Sequence, residues 1–204
     1  MNFAFYISGN AGTFRKILNS KSISLQNTKL VISDSTLNKD LSLKLDKLNI
    51  KYYFHKYNSE FSDFMLKTLG DNKIDYCFCF GHHILKGKLL NIFKNKIINF
   101  HPSILPLYPG IKSIDQAIKD DKSIIIGNTA HFIDKGIDTG PIIMQSVATK
   151  SLFNLKGYDG IINLQLPMLD FIYEKLINHQ ILINKNRVTI NGDMCIPQFF
   201  YNNG

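Results

Sequence analysis

From Asn2 to His101, apolar runs rich in β-branched and aromatic residues alternate with segments of helical spacing, and this alternation constrains the fold more than any other feature. NFAFYIS (Asn2 to Ser8) reads as a buried strand, GNAGT as a Gly-rich turn and FRKILNS as the start of a helix. TKLVISDS is a second strand, ending near Ser33. STLNKDLSLKLDKLN carries Leu37, Leu41, Leu45 and Leu48 at helical spacing. IKYYFH is a third strand, followed by the amphipathic segment SEFSDFMLKTLGD with Phe61, Phe64, Met65 and Leu69. IDYCFCFG is a fourth strand, ILKGKLLNIFKN a short helix and KIINFH a fifth strand. Strands and helices in such alternation imply parallel strands joined by right-handed crossovers. The expected class is therefore α/β, with a doubly wound, Rossmann-like, mostly parallel sheet.

After His101 the pattern changes. Pro102, Pro106 and Pro109 hold an irregular segment, and SIDQAIKD is a short helix. SIIIGNTAHFI and GPIIMQSVAT are strands joined by DKGIDT, a loop too short for a crossover helix, so an antiparallel pair is expected. A long helix is expected from about Leu155 to His179, kinked at Pro167. NRVTINGDMCIP reads as a hairpin around Asn191 and Gly192. Repeats, low-complexity tracts and flexible linkers are absent from the sequence. Residues 1–204 are expected to form a single domain with one continuous sheet, residues 1–98 as its Rossmann-like half and 99–204 as the half with the long helix and hairpin.

Composition narrows the function classes. Hydrophobic residues make up 45% and charged residues 20%, ordinary for a globular chain and against disorder. The N-terminal apolar run lacks a preceding basic stretch and a small-residue cleavage site, so a secretory signal is not expected. No run approaches the ~20 apolar residues needed to span a bilayer. A cytoplasmic location follows as the expectation, with no membrane partner. Cys77, Cys79 and Cys195 lack disulfide-framework or CxxC spacing, and the first two read as small core residues. The net charge of +8 invites an anionic partner, but it is carried mostly by lysine, with Arg15 and Arg187 as the only arginines. Without a basic cluster interleaved with aromatics, nucleic-acid binding is not expected. Aromatic residues Phe199, Phe200 and Tyr201 on the tail are a candidate contact surface, and a monomer or homodimer is expected.

In open α/β sheets, ligands bind at the carboxyl ends of the strands. Polar features gather at those ends: GNAGT after the first strand, Gly81-His82-His83 after the fourth, Asn99 and His101 on the fifth, and a loop with Asp134 and Asp138 after the sixth. Asn99 and His101 are two apart on a strand and share a face. A histidine serves as general acid or base near neutral pH, an Asn amide donates to a developing oxyanion, and a nearby carboxylate orients the imidazole. Together they suit attack on a carbonyl through a tetrahedral intermediate. A metal site would need three or four convergent ligands, and His82, His83, His101 and His131 show neither HxxxH nor HxH spacing, so none is expected. Ser103 and Cys79 do not lie on a nucleophile elbow. GNAGTF lacks the GxGxxG fingerprint of a dinucleotide site, although Asp34 would serve as its acidic residue.

Asn99-Phe100-His101-Pro102-Ser103-Ile104-Leu105-Pro106, followed by Tyr108-Pro109-Gly110, resembles the NxHPSLLP segment of folate-dependent formyltransferases. Ala130-His131-Phe132, followed by Ile137-Asp138-Thr139-Gly140-Pro141-Ile142-Ile143, resembles their second signature, in the same order. Within that family the likeness is strongest to enzymes acting on glycinamide ribonucleotide, and it covers the whole chain as far as Pro197. The resemblance implies the formyltransferase fold, 10-formyltetrahydrofolate as co-substrate without a metal, and a small-molecule primary amine as acceptor. It implies Asn99, His101 and Asp138 as the catalytic triad. The folate side would comprise Gly81, His82, His83, Ile84 and Leu85, together with His131, Ile133, Asp134 and Gly136. The acceptor side would comprise Gly9, Asn10, Ala11, Gly12, Thr13 and Tyr108.

The acceptor-side pattern departs from the purine enzymes. Their phosphate-gripping GSN turn is Ala11-Gly12-Thr13 here. Asn58-Ser59-Glu60-Phe61 lacks the arginine at the start of the third helix, and Asn163-Leu164-Gln165-Leu166 lacks an acid for the ribose hydroxyls. The segment after Gly81 is one residue shorter, with His82 and His83 in place of a Met-Arg pair. The expected acceptor is therefore an amino sugar carried on a nucleotide, as in the related sugar N-formyltransferases. The alternatives are glycinamide ribonucleotide itself and a non-catalytic folate- or nucleotide-binding module.

Overall fold

The computed structural model describes residues 1–194 and 198–199. The chain divides into two compact units, Met1–Ile98 and Asn99–Gly204.

In the first unit β1 (Phe3–Ile7), β2 (Thr28–Ser33), β3 (Lys51–Phe54) and β4 (Tyr76–Phe80) alternate with α1 (Gly12–Ser20), α2 (Lys39–Lys47), α3 (Phe61–Asp71) and α4 (Lys88–Ile92). The strands are parallel in the order β4-β1-β2-β3. Every residue of β1 is buried, as expected of a parallel strand covered on both faces. Phe3 stacks on Phe78 at 5.5 Å and Phe5 tilts against Phe14 at 5.0 Å, tying β1 to β4 and α1. Each such buried ring contributes about 1.5–3 kcal/mol of transfer free energy. Cys77 and Cys79 lie in this core, and burial pushes the Cys77 thiol well up.

Two expected helices have different limits. α1 takes in Gly12 and Thr13, which the sequence reading left in the turn; Ala11 precedes it in the left-handed region at φ 56°. The four-leucine stripe is cut short in α2. Asn38 accepts the Leu41 N–H at 3.0 Å and starts the helix there, so Leu41 and Leu45 are buried while Leu48 is 49% exposed.

β5 (Ile97–His101) crosses the boundary between the units. The second unit adds α5 (Ser113–Lys119), β6 (Ile125–Phe132), β7 (Ile142–Thr149), α6 (Ser151–Asn163) and α7 (Gln165–Ile177). β6 and β7 are antiparallel, as their short connection requires, with an irregularity between Ala130 and His131. β8 (Ile181–Asn184), β9 (Arg187–Ile190) and β10 (Asp193–Met194) form a separate antiparallel sheet, and β11 (Gln198–Phe199) pairs parallel with β7. Asn191 at φ 57° and Gly192 at φ 89° make the expected β9–β10 hairpin turn. β8, which pairs with β9, was not foreseen in the sequence.

The single long helix is corrected to two. The helical stretch begins at Ser151, is interrupted at Gly157 (φ 59°, ψ −153°) and divides at Leu164, three residues before Pro167, on the side where a proline disturbs a helix. Pro167 falls in the first turn of α7, where its missing N–H leaves no helical bond unmade. Gln165 anchors the break. Its buried amide donates to the Phe100 carbonyl at 3.1 Å and to Asn128 Oδ1 at 3.0 Å, while Asn128 Nδ2 donates to the Ile161 carbonyl at 2.9 Å. The tail residues Phe200 and Tyr201 and the side chain of Phe199 lie outside what is described, as do Cys195 and Pro197. Among the described residues no helix is long and apolar enough to cross a membrane.

Candidate active site

Strand alternation turns Asn99 and His101 to one face of β5, and Gln165 holds the intervening Phe100 carbonyl. His101 is 5% exposed. Its Nε2 lies 3.0 Å from the Tyr108 carbonyl oxygen and its Nδ1 3.4 Å from Asp138 Oδ2. A carbonyl only accepts, so Nε2 carries a proton. The two ring nitrogens thus face a carbonyl and a carboxylate, which fix the plane of the ring.

Asp138 sits in the loop between β6 and β7 with φ 54°, an uncommon backbone state for a non-glycine residue. Gly110 donates its N–H to Asp138 Oδ2 at 2.7 Å. Burial pushes the Asp138 carboxyl up, but His131, the Gly110 N–H and the nearby His101 together hold it below its ordinary range. His131 follows the irregularity in β6, the kind of feature that re-aims a side chain. Its Nδ1 donates to the Phe132 carbonyl at 3.0 Å. Nε2 lies 3.2 Å from Asn99 Nδ2 and 3.5 Å from Asp138 Oδ1. Nε2 thus sits between the Asn99 amide and the Asp138 carboxylate. The second unit thus gathers Asn99, His101, His131 and Asp138.

The proline segment is held by more than its rings. Ser103 Oγ donates to the Leu107 carbonyl at 2.8 Å and reaches that of Tyr108 at 3.1 Å. Thr129 Oγ1 donates to the Ser103 carbonyl at 2.7 Å and accepts the Leu105 N–H at 2.9 Å. Gln145 donates to the Leu105 carbonyl at 2.8 Å. These bonds aim the Tyr108 carbonyl at His101 from a residue at φ 55°. Tyr108 therefore meets His101 through its backbone, while its hydroxyl donates to Asp120 and its ring packs beside Ile114, Ala117 and Ile126. Ser103, considered as a nucleophile in the sequence, has its hydroxyl committed to these carbonyls.

Of the loop residues, Asp134 Oδ1 accepts the Gly136 N–H at 3.0 Å and the Thr139 hydroxyl at 2.8 Å, closing the loop on itself. Ile133 is half-buried at its root.

The remaining predicted residues lie in the first unit, and they gather around Asp34. The register pairs Ile7 with both Ser33 and Phe80, so the next residues of three chains, Ser8, Asp34 and Gly81, leave the sheet together. Asp34 accepts from Tyr6 Oη at 2.9 Å, from Ser35 Oγ at 2.9 Å, from the Gly9 N–H at 3.4 Å and from Ser8 Oγ. Burial raises the Asp34 carboxyl, but the bonds from Ser8, Ser35, Tyr6 and Gly9 outweigh it and hold it low. Burial, with the neighbouring Cys79 and Asp34, pushes the Tyr6 hydroxyl far up. His82 donates its N–H to Ser8 Oγ at 3.0 Å. His83 stacks on Tyr57 with centroids 3.8 Å apart, and its Nε2 lies 3.6 Å from Asp34 Oδ2. Tyr57 donates to the Ile84 carbonyl at 3.1 Å, Ile84 is 60% exposed and Leu85 is buried. Gly81 is required by close approach, since a Cβ there would lie 2.0 Å from the Tyr6 ring. Asn10 Oδ1 accepts the Gly12 N–H at 3.1 Å, and Thr13 is half-buried on the first turn of α1.

Tyr57, Ser8, Thr129 and Gln145 were missed by sequence reasoning, and Asp34 was weighed there only for a dinucleotide. Ser8 ends one predicted parallel strand and Asp34 stands one residue past another, which was the available signal. Among the described residues no group of three or more His, Cys, Asp or Glu side chains could hold a metal ion.

A sequence profile described as formyl transferase matches residues 1–149. A phosphoribosylglycinamide formyltransferase of Bacillus subtilis is 36% identical over 92 residues, which cover 45% of this chain and 47% of that one. A formyltetrahydrofolate deformylase of Haemophilus influenzae is 45% identical over 64 residues, covering 31% and 23%. The matched stretches span less than half the length of these curated relatives. Among solved structures, phosphoribosylglycinamide formyltransferase of Anaplasma phagocytophilum superposes with a TM-score of 0.82 over 97% of this chain and 98% of that one, at 23% identity, a likeness of fold alone. Glycinamide ribonucleotide transformylase 1 of Geobacillus kaustophilus gives a TM-score of 0.68 at 26% identity over 84% and 98%. With a profile matched over most of its length, this α/β chain with its mostly parallel sheet belongs to the formyl transferase family.

Proposed function

We propose that residues 1–204 act as one formyltransferase domain, an N-formyltransferase that moves a formyl group from 10-formyltetrahydrofolate to a primary amine on a nucleotide-linked amino sugar. The observation that carries the reaction is the gathering of Asn99, His101 and Asp138 in one unit, with His101 between a carboxylate and a carbonyl. Family membership supports the formyl group as the unit transferred, and relatives named formyltetrahydrofolate deformylase support the folate donor. The folate-side and acceptor-side residues are those assigned from the sequence.

In the reaction the neutral amine attacks the formyl carbon and the carbonyl oxygen becomes an oxyanion. The Asn99 amide donates to it, and His101 stabilises it from the same face of β5. One preorganised donor of this kind contributes about 2.7–4 kcal/mol. Asp138 orients His101 and, directly or through water, carries the proton lost by the attacking nitrogen toward the folate nitrogen. The bond from that nitrogen to the formyl carbon breaks, leaving the formylated amine and tetrahydrofolate. The protein needs no covalent intermediate, and holding donor and acceptor together supplies much of the rate.

Glycinamide ribonucleotide as acceptor is the second reading, favoured by the names of the relatives. Release of formate to water is a third, favoured by the deformylase matches. Steady-state assays with 10-formyltetrahydrofolate and either a 4-amino sugar nucleotide, glycinamide ribonucleotide or no amine separate them. Efficient turnover of glycinamide ribonucleotide with none on amino sugars overturns the first reading. Formate release at the same rate with and without amine establishes the third.

A further inference from the structure

Tyr108 holds a backbone state that its sequence context opposes. Its φ is 55°, in the left-handed region that non-glycine residues seldom occupy, and it precedes Pro109, a position that favours extended backbone. Such a residue keeps its conformation only where the surroundings over-determine it. That conformation brings the Tyr108 carbonyl oxygen to 3.0 Å from His101 Nε2.

The far end of the same residue is anchored away from His101. Its ring packs beside Ile114, Ala117 and Ile126, and its hydroxyl donates to Asp120 Oδ2. Asp120 directly follows α5 and is itself immobilised. Its Oδ1 accepts the Lys122 N–H at 3.0 Å, and its carbonyl accepts the Ser123 N–H at 3.1 Å and Lys150 Nζ at 2.5 Å. Lys150 also donates to the Ile118 carbonyl at 3.3 Å, which fastens the end of α5 to the start of α6. The Tyr108 hydroxyl, and after it the Lys122 N–H, hold the Asp120 carboxyl below its ordinary range. It therefore accepts as the anion at neutral pH, the stronger form of the bond.

We propose that Asp120 is a positioning residue that acts through Tyr108: by fixing the tyrosine hydroxyl it holds the left-handed backbone state that presents the Tyr108 carbonyl to His101. Its bearing on turnover rests on the transferase reading, and its bearing on the His101 ring rests on the geometry alone. A second carboxylate of α5, Asp115, accepts the Tyr158 hydroxyl in the same way, but Tyr158 lies on α6, so that pair joins two helices.

The test follows exchange of the His101 ring N–H in the ligand-free, uniformly 15N-labelled chain, the resonance being assigned by its loss in His101→Ala. Asp120→Ala and Tyr108→Phe cut the anchor from either end, and each is expected to raise that exchange rate at least about threefold, the scale of one lost hydrogen bond. The backbone amides of the β6–β7 ladder are expected to keep their wild-type rates in both. Asp115→Ala removes the other carboxylate–tyrosine bond of α5 and is expected to leave the ring N–H unchanged. In turnover, Asp120→Ala should lower kcat at least about threefold while KM for the formyl donor stays within about twofold. Ring exchange at the wild-type rate in either anchor variant overturns the proposal, as does equal acceleration of ring and ladder, an equal rise in Asp115→Ala, or a changed KM with unchanged kcat. If Asp120→Ala does not fold, Tyr108→Phe decides in the same way. The exchange measurement uses neither formyl donor nor acceptor, so a chain without transferase activity defeats the transferase reading and leaves the ring result standing.

Discussion

His101 is held between two acceptors, with Asp138 Oδ2 3.4 Å from its Nδ1 and the Tyr108 carbonyl oxygen 3.0 Å from its Nε2. A ring in that position is oriented on both sides before any substrate arrives. The cost of orienting it has been met in folding, by the hydrogen bonds of Ser103, Thr129 and Gln145 that fix Tyr108.

Replacing His101 by Ala should lower kcat for formyl transfer by roughly 10²–10⁴, the range for loss of a positioned acid or base. Affinity for a non-reacting folate analogue should stay within a few-fold, because the change removes no apolar wall. Single-turnover rates and calorimetry check the two halves. Unchanged kcat would remove His101 from the reaction, and absence of turnover in the wild type would support a non-catalytic binding module.

His131 should act through Asn99. Asn99→Ala should cost about 10²–10³ in kcat, as for loss of one oxyanion donor. His131→Ala should cost less in the wild-type background and little once Asn99 is gone. A double-mutant cycle should return a coupling of about 0.5–3 kcal/mol. Strict additivity would show that the 3.2 Å contact does not position Asn99.

Acid stability should depend on Asp34 and Asp138. Both carboxyls lie below their ordinary range in the folded chain. A depressed folded pKa gives stability that is fully present above the unfolded value, about 3.9 for Asp, and is lost as pH falls through the folded value. Urea midpoints measured from neutral pH downward should fall below about pH 4. Asp138→Asn should be less stable than wild type at neutral pH and show a shallower fall in acid. A slope unchanged by the substitution would remove Asp138 from the acid response.

Gly81→Ala should destabilise the first unit. The new Cβ would lie 2.0 Å from Tyr6 Cε1, and Tyr6 is fully buried with its hydroxyl bound to Asp34. Overpacking of this kind costs about 1–3 kcal/mol, so Tm should drop by several degrees. A Tm equal to wild type would mean that the Tyr6 ring can give way.

The strand–helix alternation was legible because it depends on local periodicity, and the motif around Asn99 and His101 because a strand puts residues two apart on one face. The end of the long helix was not. Pro167 announced a disturbance, and the division falls at Leu164 on its N-terminal side, while the partners that Gln165 finds there, Phe100 and Asn128, lie far along the chain. β8 was hidden because ILIN follows directly on helical residues and becomes a strand only by pairing with β9. Tyr108 was placed on the acceptor side, and its backbone carbonyl meets His101 from a positive φ that the sequence does not announce.

The α/β class, the antiparallel pair β6–β7 and the shared face of Asn99 and His101 are readable from the chain alone, because they follow from chain period and loop length. Only the tertiary structure decided what those residues touch. Asp138 reaches His101 from a distant loop, and Asp34 gathers Ser8, Gly9 and His83 from other strand ends. Contacts of that separation are fixed by sheet register and by hydrogen bonds between distant segments, and no local pattern encodes them.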